Sequence, residues 1–267
     1  SLKSIEKNAP WVRHIYIVTA DYQRPNTSMI PSSIQHKIKH IKHSDIIPNQ
    51  FLPQFASQVI ESFLFRIPGL SDQFIYFNDD MFLGNTTTPA DFFNPNGHPY
   101  MLYTHSLDYY SNSIKFLLRN TTRNSELRHS IHFFRKLFNL PKKAHYGFYK
   151  KPLHQCYPAS KTLFESLWSH NDVKEFLLNQ ANDKFRSYNQ LNCFYLMYLY
   201  GFHQQKAQLK YEPSEIFKEL HTEKNVTQHM NRVFSKQPKL FCLNNELDTP
   251  NKKLEYAFQN SLKRYFT

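Results

Sequence analysis

Apolar positions along this chain alternate between strand-length runs and helix-spaced faces. Residues 1–9 read as the tail of a helix closed by Pro10, and His14–Thr19 (HIYIVT) is a β-branched, apolar run that predicts a buried strand. Residues 20–33 gather Asp, Asn, Ser and Pro and predict loop. Ile34–Ile41 alternates apolar with basic residues, the period of a half-exposed strand. A helix is expected from about Ser57, with Val59, Ile60, Phe63, Leu64 and Ile67 on one broad face and Pro68-Gly69 as its stop. Residues 74–77 (FIYF) form a further apolar strand, which runs directly into Asn78, Asp79 and Asp80.

The middle of the chain turns helical. Leu127, Ile131, Phe134 and Phe138 mark one helix, Leu163, Phe164, Leu167 and Trp168 a second, and Gln190–Tyr200 a third. Thr249-Pro250 supplies an N-cap and first-turn proline for a last helix through Leu254, Phe258, Leu262 and Phe266. Strand, helix, strand with short connections predicts an α/β fold. The expected core is a Rossmann-like (GT-A-like), mostly parallel sheet flanked by helices, with helical insertions. No internal repeat or low-complexity linker divides the chain, so one domain is expected over 1–267. Its parts are a sheet core (1–95), a helical part (96–248) and a basic amphipathic terminal helix (249–267).

Composition narrows the function classes. Apolar residues make up 40% of the chain and aromatics 16%, which suits a folded globule. No apolar run reaches the length of a membrane span. Only five glycines occur, without a GxGxxG or GxxxxGK[ST] word, so neither a dinucleotide loop nor a P-loop is available. The chain opens without Met and inside a pattern, and is expected to be a piece of a longer protein. Lys and Arg total 33 against 21 Asp and Glu, a formal charge of +12 that calls for an anionic partner. The basic residues are dispersed and carry no nucleic-acid motif, so no nucleic acid is expected. A nucleotide-sugar and a polyanionic product account for the charge equally well. Cys156, Cys193 and Cys242 form no CxxC pair, which suits a reducing compartment and excludes a Cys-rich zinc site. Sequons at Asn26, Asn85, Asn120 and Asn225 are accounted for by chance in so Asn-rich a chain, and a bacterial cytoplasmic setting is expected.

The sharpest chemical signal is Asn78-Asp79-Asp80. A strand in an α/β sheet delivers the residues after it to the carboxyl edge, where such folds bind ligands. Two adjacent carboxylates there repel each other unless a cation sits between them. Asp79 and Asp80 are therefore read as a metal or catalytic pair, with a plain strand-to-turn element as the alternative, since Asn and Asp populate turns. Glu61 and Arg66 lie five residues apart, off the apolar stripe of their helix. They could form an ion pair; alternatively, Arg66 meets a phosphate while Glu61 orients it or the acceptor. Trp11 and Arg13 are expected to pack and brace the first strand.

Several words of this segment occur together in one known family. SLKSIEKNAP (1–10), WVRHIYIVTAD (11–21), IESFLFRIPGLSDQFIYFNDDMFLG (60–84) and TPADFF (88–93) resemble the second conserved region of the Stealth family of hexose-1-phosphate transferases. That family includes bacterial capsule polymerases and the animal enzyme that starts the mannose-6-phosphate tag. KKPLHQCYPASK (150–161) is similar to its third region and KFRSYNQLN (184–192) to its fourth. A Trp-Val-Asp-Gly-like first-region word does not occur here.

The resemblance implies attack at phosphorus, with Asp79 and Asp80 holding Mg²⁺ (or Mn²⁺) against a nucleotide-sugar diphosphate. It implies His154 as the base that takes the acceptor proton and Arg186 as a phosphate fork. A solvated histidine and a surface salt bridge are the ordinary fates of such residues. Lys161 begins a predicted helix and could add charge and free amides for a phosphate. Asn189 and Gln190 stand where relatives often carry acids, and either amide could orient a phosphate or a metal-bound water. The expected donor is UDP-N-acetylglucosamine (UDP-GlcNAc) and the acceptor an oligosaccharide or growing capsular polysaccharide, with UMP released. The alternatives are a metal-dependent glycosyltransferase releasing UDP, and a non-catalytic binder of anionic polysaccharide or nucleic acid. Lys252, Lys253, Lys263 and Arg264 beside an apolar stripe would also permit peripheral contact with the inner face of the membrane; an ordinary packed helix is the alternative.

Overall fold

The protein is seen in a computed structural model that describes residues 1–103, 125–141, 152–187, 189–212, 217–219, 222–244 and 251–266. Lys150 and Lys151 of the third-region word, the sequon at Asn120 and the Thr249-Pro250 helix start lie outside the described residues.

Helix α1 (Leu2–Asn8) leads into strand β1 (Ile15–Thr19), which pairs in parallel with β2 (Ile38–Lys42), Ile15 opposite Ile38. Two expectations fail here. Residues 32–37 form a 3₁₀ segment entered through Pro31, whose fixed φ suits a helical start, so β2 begins only at Ile38. All five residues of β1 are half-buried, because its sheet has two strands and no cover on both faces. After α2 (His43–Ile46), α3 runs over Ser57–Phe63 and tightens into a 3₁₀ turn at Leu64–Arg66. Pro68 cannot continue the ladder, and Gly69 at φ 74° reverses the chain into β3 (Gln73–Tyr76).

The expected parallel neighbour of β3 is replaced by an antiparallel one. After β4 (Met81–Leu83), β5 (Tyr100–Tyr103) and α4 (Ser125–Leu137), β6 (Tyr157–Ser160) pairs with β3, placing Gln73 opposite Ser160 and Tyr76 opposite Tyr157. Helices α5 (Lys161–Trp168), α6 (Asn171–Gln180) and α7 (Cys193–His203) follow, then β7 (Gln208–Tyr211) parallel to β5. Next come β8 (Phe217–Glu219), α8 (Glu223–Lys236), β9 (Leu240–Asn244) and α9 (Lys252–Phe266). β9 pairs antiparallel with β4 and parallel with β8. Among the described residues the fold is thus mixed α/β, with small two- and three-stranded sheets in place of one mostly parallel sheet.

The main core forms where α3, α5 and α7 close on β3 and β6. Every residue from Cys193 to Gly201 is buried, so α7 is a central helix apolar on all sides. A second cluster joins α8, β9 and α9 through Val226, Val233, Phe241 and Leu254. Phe258, Leu262 and Phe266, partly buried, pack against it. No described helix is long and apolar enough to cross a membrane.

Phe194 on α7 stacks on Tyr76 at 4.9 Å and meets Phe164 edge-on at 5.3 Å, and it is 1% exposed. Phe194→Ala should therefore cost about 3–5 kcal/mol of stability. Urea unfolding of the two proteins checks this, and a loss below about 1 kcal/mol would show that the stack is not structural.

Candidate functional site

The β3–β6 register builds the site. Continuing the antiparallel count past Tyr76 and Tyr157 brings residue 154 level with residue 79, next to Asp80. A turn closes there, Met81 N–H donating to the Asn78 carbonyl at 3.3 Å, and the chain leaves as β4. β4 sets Met81 opposite Cys242 of β9, and Leu243 N–H donates to the Asp80 carbonyl at 2.9 Å. Three distant segments thus converge on one carboxylate. Asp80 Oδ2 lies 3.7 Å from His154 Nε2 and accepts from the Cys242 thiol at 3.3 Å.

The environment of Asp80 is uneven. Burial works to raise its pKa, but hydrogen bonds from His154 and Cys242 and the electrostatic pull of the His154 ring outweigh it, and the carboxyl titrates below its usual range. The second oxygen, Oδ1, is buried without a hydrogen-bond partner among the described residues. Leaving such an atom bare is costly, which marks it as a position for a cation or donor. Asp79, its neighbour, is exposed. The His154 side chain is 43% exposed, open to an incoming hydroxyl.

A second wall stands on α3. The Tyr76 hydroxyl bridges Glu61 Oε1, at 3.1 Å, and Asn78 Oδ1. Burial pushes the Glu61 carboxyl up to about 7, against the hydrogen bond from Tyr76 and the Arg186 charge that pull it down, and Glu126 adds to the rise. Arg186 reaches the same wall: Nη2 donates to Ser57 Oγ at 2.8 Å, Nε donates to Gln58 Oε1 at 3.2 Å, and Glu126 lies 3.9 Å away. Glu61 and Tyr76 thus join α3 to Asn78, at the start of the Asp80 turn, and Arg186 docks on the same helix through Ser57 and Gln58.

Other expected residues fall elsewhere. Lys161 opens α5 beyond Ser160, the partner of Gln73, so it lies at the opposite end of β3 from Asp80. Its amide donates to the Asp72 carbonyl at 2.8 Å and its ammonium sits 3.7 Å from Glu165. Arg66 is exposed over the Phe63 ring at 5.8 Å and makes no ion pair with Glu61. Gln190 is buried and donates to the Phe185 carbonyl at 3.3 Å, bracing its own loop, while Asn189 is exposed. Trp11 donates to the Thr87 carbonyl at 2.7 Å and Arg13 to Ser71 Oγ at 3.2 Å, both bracing contacts.

Cys242, Tyr76 and Glu126 carry no local sequence signal. Each looks like an ordinary strand or helix residue, and only long-range pairing brings it to the site.

Comparison with known proteins places this architecture. Residues 1–101 match the family model described as Stealth protein CR2, conserved region 2. The chain is 34% identical to a capsular polysaccharide phosphotransferase of Neisseria meningitidis serogroup B, over 100% of this chain and 69% of that protein. It is 33% identical to one of Haemophilus influenzae, over 100% of this chain and 71% of the relative. An exopolysaccharide phosphotransferase of Lactiplantibacillus plantarum is 48% identical over 36% of the chain and 28% of its own length. The chain is therefore a phosphotransferase. The chain is a member of the Stealth family of hexose-1-phosphate transferases.

The raised pKa of Glu61 has a measurable consequence. Between the ordinary value of 4.5 and about 7, the folded protein keeps a proton on Glu61 that the unfolded chain has released. Stability should therefore fall as pH rises through that window, by roughly 2 kcal/mol after allowing for partial solvent contact. Glu61→Gln should flatten the slope in urea unfolding measured from pH 5 to 8. An unchanged slope in the variant would place the titrating group elsewhere.

Proposed function

We propose that this chain transfers N-acetylhexosamine 1-phosphate, with UDP-GlcNAc as donor, to a hydroxyl of a growing capsular polysaccharide, releasing UMP. The carrying observation is the Asp80–His154 contact at 3.7 Å beside the unpartnered, buried Oδ1 of the same carboxylate. Asp80 favours the imidazole tautomer with its proton on Nε2, which assigns the accepting lone pair to Nδ1. His154 takes the acceptor hydroxyl proton there as the oxygen attacks the sugar-linked phosphorus. The bond from that phosphorus to the bridging oxygen breaks, and UMP leaves with its electron pair. The sugar keeps its phosphate, now in a phosphodiester.

Asp80 Oδ1 and the exposed Asp79 carboxylate offer the oxygen donors that a hard cation prefers, so these two residues would hold Mg²⁺ or Mn²⁺. Such a cation supplies charge neutralisation for the donor diphosphate. Arg186 meets the developing phosphate charge through its fork, with the α3 hydrogen bonds fixing its side chain. Asn78, held by Tyr76, orients the donor next to Asp79.

The test is product identity. Purified protein incubated with UDP-GlcNAc, Mg²⁺ and short acceptor oligosaccharides should release UMP and yield a product one sugar-phosphate heavier by mass. His154→Ala should lower turnover about 10²–10⁴-fold with the donor still bound. Release of UDP would identify glycosyl transfer instead and reject the proposal.

A further inference from the structure

The Asp80 cluster holds a sulfur as well as oxygen and nitrogen, and a hard cation has no use for a thiol. One ligand atom each from Asp80, His154 and Cys242 lies within 4.8 Å of the other two. In a tetrahedral zinc shell, the standard bond lengths put sulfur–oxygen and nitrogen–oxygen edges at about 3.4–3.6 Å. The corresponding separations are 3.3 Å for Cys242 Sγ to Asp80 Oδ2 and 3.7 Å for His154 Nε2 to the same oxygen. Two of the three edges of such a shell are thus close to their metal-bound lengths, and the third, between His154 and Cys242, lies within 4.8 Å. Cys242 approaches from the buried side and is 0% exposed, whereas the His154 side is open.

We propose that Asp80, His154 and Cys242 form a three-ligand site for a borderline or soft divalent cation, Zn²⁺ foremost, with its fourth position open toward solvent. On binding, the thiol loses its proton to solvent and the sulfur becomes a thiolate ligand. The imidazole moves its proton from Nε2 to Nδ1 and contributes Nε2, the carboxylate contributes Oδ2, and both hydrogen bonds to Asp80 are exchanged for metal bonds. The site is distinct from a hard-cation position on Asp79 and Asp80, because it needs Cys242 and His154 and leaves Asp79 out. Occupancy would hold the His154 ring to the metal and remove it from proton transfer. That last consequence alone rests on the proposed function; the metal site stands on the three side chains.

The whole chain, stripped of metal with a chelator, is titrated with Co²⁺ or Cd²⁺ in the presence of excess Mg²⁺. A thiolate-to-metal charge-transfer band should grow to saturation, and Zn²⁺ should displace Co²⁺ from it. Cys242→Ser should abolish the band and weaken Zn²⁺ binding at least about tenfold. Cys156→Ser and Cys193→Ser should keep both. His154→Gln, altered on the exposed side, should weaken Zn²⁺ binding with the thiol intact, which guards against a fold defect in the cysteine variant. No band in the parent chain, or a band that survives Cys242→Ser, overturns the proposal. These readouts need no turnover, so failed phosphotransfer with an intact band would reject only the proposed function. Phosphotransfer without a band would reject only the zinc site.

Discussion

The antiparallel pairing of β3 with β6 is the constraint from which the site arises. Its register sets Tyr76 opposite Tyr157, and the two rings stack at 6.0 Å while both lie against Phe194. A shift of one residue would turn the shifted strand's side chains to the other face and pull the aromatic pile apart. The same shift would move residue 154 away from Asp80. Packing energy in the core and geometry at the site are thus two readings of one register. β9 completes the arrangement from the other side, where Phe82 stacks on Phe241 at 5.1 Å and holds Cys242 beside Asp80.

Much of this was legible in the sequence wherever the determinant is local. The strand ending at Asn78-Asp79-Asp80 and the helix from Ser57 to the Pro68-Gly69 stop are fixed by runs, faces and breakers within a few residues. His154 was legible through its motif, and the structure brings it to Asp80. What the sequence concealed depends on partners far along the chain. Nothing near residue 74 says that its neighbour is residue 159, or that the pair runs antiparallel. Helix-starting position made Lys161 look like a phosphate ligand, yet the register carries it to the far end of β3. Cys242 sits in an ordinary apolar strand, and only the β4–β9 ladder discloses its contact.

Two walls of the site divide the electrostatic work. On one, Asp80 stays ionised because His154 and Cys242 donate to it. On the other, Glu61 is desolvated and holds its proton up to about pH 7, so a carboxyl next to the Tyr76 hydroxyl adds less negative charge than its sequence identity suggests. Carboxyl groups in contrasting environments separate into an ionised and a neutral member, the usual way one fold supports opposing proton tasks. Arg186 faces both Glu126 and the helix hydroxyl of Ser57, which keeps its guanidinium aimed.

The charge balance supplies the strongest argument for a cation. The chain as a whole carries +12, yet the strand edge presents two adjacent carboxyl groups, Asp79 and Asp80. A diphosphate brought to that edge without a cation would face like charge. Arg186 is already engaged with Glu126, and Lys161 lies at the other end of the strand. Dispersed surface charge draws an anion toward the protein but acts weakly at contact range through salt. On the proposed reading, divalent charge held by Asp79 and Asp80 would reverse the local sign at that edge. Carboxylates that alone would repel an anionic substrate would then become its bridge, with the cation shared between them.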